Sequence, residues 1–241
     1  YDQIIHDVCL QKLPVVLAMD RGGFVGADGP THHGLFDFAF LRTIPNIVVM
    51  APKDENELQH LMKTAVTCGR PAALRYPRGK GVGATLDDKP RAIPVGKGEI
   101  LRDAPEAALA VVVIGACVYP ALAAAEILQT EGIPVRVINA RFVKPLDAEL
   151  LCATAMRIKR IVTVEENTLM GGFGSAVLEL FAEQGIAGVA VRRLGIPDEF
   201  AQHATQKELR QLYGIDAPGI AAAVREMLDD EKRKDPQDPP G

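Results

Sequence analysis

AALAVVVIG, residues 107–115, decides the fold. It is a short, unbroken apolar run that closes on glycine, the mark of a strand buried on both faces of a parallel sheet. Working outward, an Ala-rich helix extends to about Gln129, and IPVRVIN (133–139) follows as the next strand. A helix near 147–157, the strand RIVTVEEN (160–167), a helix in GGFGSAVLELFAEQG (171–185) and the strand VAVRRLGI (189–196) continue the alternation. The first third reads the same way. LPVVLAMD (13–20), NIVVMA (46–51) and PAALRYPRG (71–79) are strands, and Leu35, Phe38, Ala39, Leu41 and Arg42 suggest a helix between the first two. A second helix opens on DEN (54–56), whose acids suit the positive end of a helix dipole. Alternating strands and helices joined by short Gly/Pro turns predict an α/β protein with mainly parallel sheets flanked by helices.

Residues 79–97 hold four glycines, two prolines and a charged DDKPR stretch. That composition predicts two domains, 1–80 and 97–228, joined by a linker at 81–96. The charged, proline-rich segment 229–241 is expected to be a disordered tail. Tyr1 stands where an initiator Met is expected, and Ile4, Ile5, Val8 and Cys9 already lie on one helical face, so a truncated chain is expected.

Composition bounds the function only loosely. The 241 residues carry a formal charge of −4, which offers no electrostatic footprint for nucleic acid or an anionic membrane. No apolar run reaches the ~18 residues needed to cross a bilayer, and no signal-peptide layout opens the chain. The four cysteines, Cys9, Cys68, Cys117 and Cys152, form no CxxC or Cys/His cluster. They read as reduced, mostly buried thiols of a cytoplasmic protein, with no metal site.

The candidate chemistry lies at strand ends. In open α/β sheets, ligands bind outside the carboxyl ends of the strands, and Arg21 and Arg78 follow the first and third strands there. If those strands are neighbours, two guanidinium forks converge on one crevice, an arrangement suited to a phosphate. The competing reading pairs each arginine with a surface acid. The loop Asp28-Gly29-Pro30-Thr31-His32-His33-Gly34 holds the second candidate, because Asp-Gly-Pro fixes a tight turn that places Asp28 near His32. An imidazole with an ordinary pKa of about 6.5 exchanges a proton near neutrality, and a carboxylate can orient it. The loop could equally be a corner with solvent-exposed histidines. GGFG (171–174) lacks the spacing of a phosphate-binding loop, and His203, Glu165 and Glu166 read as structural or surface residues.

YDQIIHDV, DRGGFVGADGPTHHGLFD, AFLRTIPNIVVMAPKDENEL, LRYPRG, INARFVKPLD, TVEEN, GGFGSAV, GIPDEF and TQKEL occur in this order along the chain. Together they resemble the 1-deoxy-D-xylulose-5-phosphate synthases, a transketolase-like family. DGPTH alone is shared with transketolases generally. The resemblance implies that 1–80 is part of a pyrimidine-binding domain and 97–228 a transketolase C-terminal domain. It implies condensation of pyruvate with D-glyceraldehyde 3-phosphate, with loss of CO2, to give a precursor of isoprenoids, thiamine and pyridoxal. By position, Arg21 and Arg78 match the family's phosphate-gripping arginines, and Asp28 and His32 its acceptor-site pair. His33 departs from a common Gln. The family works as a homodimer with thiamine diphosphate and Mg2+, whose ligands are expected before Tyr1. No cofactor binding is therefore expected of this chain alone, and it is expected to be inactive. Two alternatives remain open: a β-type subunit of a thiamine-dependent 2-oxoacid dehydrogenase, and a non-catalytic assembly module.

Overall fold

The computed structural model describes residues 1–234. Its first sheet is built from β1 (Val16–Met19), β2 (Val48–Met50) and β3 (Ala72–Arg75), running parallel in the order β1-β3-β2. The first and third strands are therefore direct neighbours, with Val16 in register with Ala72 and Met19 with Arg75. The connections are the helices α1 (Asp37–Arg42) and α2 (Glu55–Thr67). The acids of DEN have separate duties at the start of α2. The Asp54 carboxylate caps it by accepting the Glu57 N–H at 2.7 Å.

The second sheet has the order β4-β6-β5-β8-β9. Its members are β4 (Glu99–Arg102), β5 (Leu109–Val113), β6 (Val135–Asn139), β8 (Arg160–Thr168) and β9 (Ala190–Ile196). All are parallel except the edge strand β4, which runs antiparallel to β6. Around it lie α3 (Val118–Thr130), α4 (Ala148–Arg157), α5 (Phe173–Glu183), α6 (Gln206–Leu212) and α7 (Ala217–Lys234). Val111, Val113, Val162 and Val164 face a core closed by α3, α6 and α7. The alternate residues Ala110, Val112 and Ile161 face the other way, toward Phe38, Leu41 and Phe173. The period of two thus supplies both buried faces that the apolar runs required.

Two features bind the halves into one body. After β6 the chain crosses through Ala140 and Arg141 to β7 (Phe142–Lys144), which adds antiparallel to β2 as the fourth strand of the first sheet. Phe142, fully buried, packs among Met50, Leu61 and Leu74 beneath α2. The second feature is polar. Glu57, 2% exposed, accepts from both Asn139 Nδ2, at 3.0 Å to each oxygen, and Arg141 Nε at 2.6 Å. Lys53 and Arg141 both reach on to Glu99, at 3.0 and 2.7 Å.

The segment expected as a linker, 81–96, has no regular element, yet it is strapped along α2. The Glu55 carboxylate accepts the N–H groups of Val82, Gly83 and Ala84. Farther along, His60 Nδ1 accepts the Arg91 N–H, and Thr64 exchanges two hydrogen bonds with Ile93. The expected tail needs correction: α7 continues to Lys234, so 229–234 are helical, while 235–241 lie outside the described residues. At the start, the apolar pattern of Ile4 to Cys9 forms a π-helical turn that buries Cys9. All four thiols are free. Cys9 and Cys117 are buried, and Cys68 and Cys152 half-buried.

Candidate functional site

The carboxyl ends of β1 and β3 continue side by side, because Tyr76 donates to Met19 O and Gly22 N to Tyr76 O, at 3.0 and 2.9 Å. Arg21 and Arg78 therefore leave neighbouring strands at the same sheet edge. Arg21 adopts a left-handed backbone (φ +56°), uncommon for a residue with a side chain. Its half-exposed guanidinium donates to Asp20 at 3.0 Å. Arg78 donates to Val25 O at 3.3 Å and to the Asp28 carboxylate. One arginine is thus joined to the DGPTH loop, while the other holds its sequence neighbour.

Residues 22–34 leave and return at one point. Gly23 and Gly34 exchange backbone hydrogen bonds at 2.7 and 2.9 Å, closing the neck of an Ω-shaped loop. At its tip, the turn bonds Gly29 N to Gly26 O and His32 N to Gly29 O fold Asp28 to His32 into a corner. Gly29 has φ +75°, and a Cβ there would stand 2.2 Å from the ring of His203, which lies beneath it. Among the described residues no hydrogen bond joins Asp28 to His32: Asp28 holds Arg78, and the exposed His32 ring meets the Thr31 hydroxyl at 2.9 Å. His33 is buried rather than decorative. Its Nδ1 accepts the Val25 N–H at 3.1 Å, which leaves Nε2–H to donate to Gln202 O at 3.3 Å.

Three important residues were missed or misjudged from sequence. Arg75, 5% exposed, donates through Nη2 to Gly34 O and to Glu166 O, at 2.6 and 2.7 Å, with its guanidinium over the Phe38 ring. Glu166 is buried, accepting Phe24 N–H at 2.7 Å and Arg210 Nε at 2.7 Å. Glu165, fully buried, accepts the N–H groups of Phe173 and Gly174 at 2.6 and 2.8 Å. The anion at the GGFG helix start is therefore the protein's own carboxylate. Burial pushes the Glu165 pKa up to about 7 against the opposing pull of those two N–H groups. The available signal was position: both acids follow an apolar run toward the carboxyl end of β8, where the buried polar residues Asn167 and Thr168 also lie.

A cavity of about 340 Å3 opens beside Arg78, between the start of α2 and α6. Lys53, Lys80, Arg78 and Arg210 line it together with Asp54 and Glu55. Among the described residues no group of three or more His, Cys, Asp or Glu is placed to hold a metal ion. No described helix is long and apolar enough to cross a membrane.

The family model described as transketolase, pyrimidine binding domain, matches residues 1–82, and that described as transketolase, C-terminal domain, matches residues 96–220. A protein of Syntrophus aciditrophicus named 1-deoxy-D-xylulose-5-phosphate synthase is 64% identical over 95% of the chain, which spans 35% of that protein. A Geobacter metallireducens protein named 1-deoxy-D-xylulose-5-phosphate synthase 1 is 59% identical over 95% of the chain and 36% of its own length. The chain thus spans about a third of the length of these curated relatives. A solved structure described as a split-gene transketolase, an inactive β4 tetramer, superposes with TM-score 0.83 and 32% identity over 95% of this chain and 71% of that one. A Pichia stipitis transketolase mutant, at 20% identity and TM-score 0.73 over 94% of this chain and 32% of its own, shares the fold. Two family models in tandem, and a solved relative that superposes across both halves, place the chain in the transketolase family.

Proposed function

We propose that the chain supplies the acceptor-binding and C-terminal portions of a 1-deoxy-D-xylulose-5-phosphate synthase, which condenses pyruvate with D-glyceraldehyde 3-phosphate and releases CO2. The observation that carries this reading is the 64% identity to a relative of that name over 95% of the chain. Those relatives give no support to a 2-oxoacid dehydrogenase subunit.

In this reading Arg21 and Arg78 grip the acceptor phosphate from two neighbouring strand ends. Each charge-assisted bond contributes about 1.5–3 kcal/mol, so losing one arginine weakens phosphate binding about tenfold to a hundredfold. Arg78 exchanges Asp28 for phosphate as the acceptor enters, and the released carboxylate becomes free to take a substrate hydroxyl. His32, exposed at the same corner, donates or accepts the proton at the acceptor oxygen. Thiamine diphosphate, with Mg2+, supplies the electron sink for the donor half and is held by parts of the enzyme outside the described residues. The enzyme acts as a cytoplasmic homodimer, and the chain by itself is inactive, as the split-gene relative is described to be.

The test is direct. The full-length protein, loaded with thiamine diphosphate and Mg2+, is expected to release CO2 from pyruvate and to form the five-carbon ketose phosphate with D-glyceraldehyde 3-phosphate. Absence of that product from the loaded protein would contradict the reading.

A further inference from the structure

The corner that carries Asp28 and His32 is held mainly from the other half of the chain. Glu166, on β8, takes the Phe24 N–H just inside the neck of the loop, and Arg210 fixes that carboxylate from α6. Gly23 lies so close that a Cβ on it would stand 2.4 Å from Glu166 Oε1, so the neck packs on this carboxylate with no room for a side chain there. Arg75 closes the other side by donating to the neck carbonyl of Gly34 and to the Glu166 carbonyl with one nitrogen. One turn before Arg210, Gln206 donates to Phe24 O at 2.5 Å and to Arg78 O at 3.1 Å. Residues four apart share a helix face, so one face of α6 controls both the loop and the segment bearing Arg78.

We propose that Glu166, oriented by Arg210, is a positioning residue for the acceptor site. It sets where Asp28 and His32 stand relative to Arg78. The proposal rests on the functional reading above and adds to it a role for the C-terminal half. Stability alone does not call for this arrangement, because a well-packed apolar pair stabilises a buried junction at least as well as an ion pair. A carboxylate adds direction: it holds one particular backbone N–H, and through it the path of the loop. Glu166 lies behind the neck, so it acts on the acceptor through the loop alone.

The experiment compares wild type with Glu166→Gln and with Arg210→Gln. Arg210→Gln is the second variant because it leaves the Glu166 carboxylate in place, keeps an N–H donor toward it, and lies at a side chain 23% exposed. In the thiamine-diphosphate-loaded full-length enzyme, the KM for D-glyceraldehyde 3-phosphate is expected to rise about tenfold or more, while the KM for pyruvate stays within about twofold. Hydrogen exchange at residues 24–33 of the chain itself is expected to accelerate in both variants. Equal losses for both substrates, or unchanged exchange at 24–33, would overturn the proposal. If wild type fails to turn over these substrates, the functional reading falls, and exchange alone then decides whether Glu166 holds the loop.

Discussion

Arg78 donates a hydrogen bond to the carboxylate of Asp28, fifty residues away in sequence. The pair is about half exposed, at 46% and 37%, so it contributes no more than about 1 kcal/mol to folding. In the proposed function this pair sets up a competition, in which an incoming phosphate takes the guanidinium from Asp28. Asp28→Asn should therefore tighten inorganic phosphate binding to the chain by up to about fivefold, with little change in thermal unfolding. A phosphate titration checks this, and weaker binding in the variant would count against the competition.

Glu57 is the opposite case, a carboxylate 2% exposed that links α2 to Asn139 and Arg141 beyond the linker. Removing one partner of a buried ion pair leaves the other uncompensated, at a cost of about 3–5 kcal/mol. Glu57→Ala should lower the unfolding free energy by that amount, measured with denaturant. A loss below about 1 kcal/mol would mean that Arg141 finds other partners.

Glu165 gives a pH dependence of known sign. Its ordinary pKa of 4.5 applies when the chain is unfolded, and burial raises it to about 7 in the fold. Between those values the folded state binds more protons, so this group's contribution to stability falls as pH rises and levels off above about 7. The difference in unfolding free energy between wild type and Glu165→Gln should follow that slope from pH 4.5 to 7. A flat difference across the window would show that Glu165 ionises normally.

The inner strands were legible because their period and burial agree: Leu109–Val113 and Val135–Asn139 are buried at every residue, as their apolar runs required. β4 and β7 were not. EILR exposes one face at an edge, and FVK is three residues long, pairing with a strand more than ninety residues earlier. Neither has local periodicity to read, because its reason for being extended lies in the partner strand. The same distinction holds in the candidate site. Strand order makes β1 and β3, the strands that lead to Arg21 and Arg78, direct neighbours. Arg75, Glu165 and Glu166 escaped because a charged residue in a sequence reads as solvated. Only the fold supplies Gly34 O, Phe24 N–H and the start of α5 as their partners. His33 escaped for the same reason, since its acceptor, Gln202 O, is supplied by the other half of the chain.

The most direct test of the account is acceptor discrimination by Arg78→Ala in the thiamine-diphosphate-loaded full-length enzyme. The value of kcat/KM is measured with D-glyceraldehyde 3-phosphate and with unphosphorylated D-glyceraldehyde. The account predicts a loss of about tenfold to a hundredfold for the phosphorylated acceptor and little change for the other. Equal losses for the two acceptors would contradict the assignment of Arg78 to the phosphate.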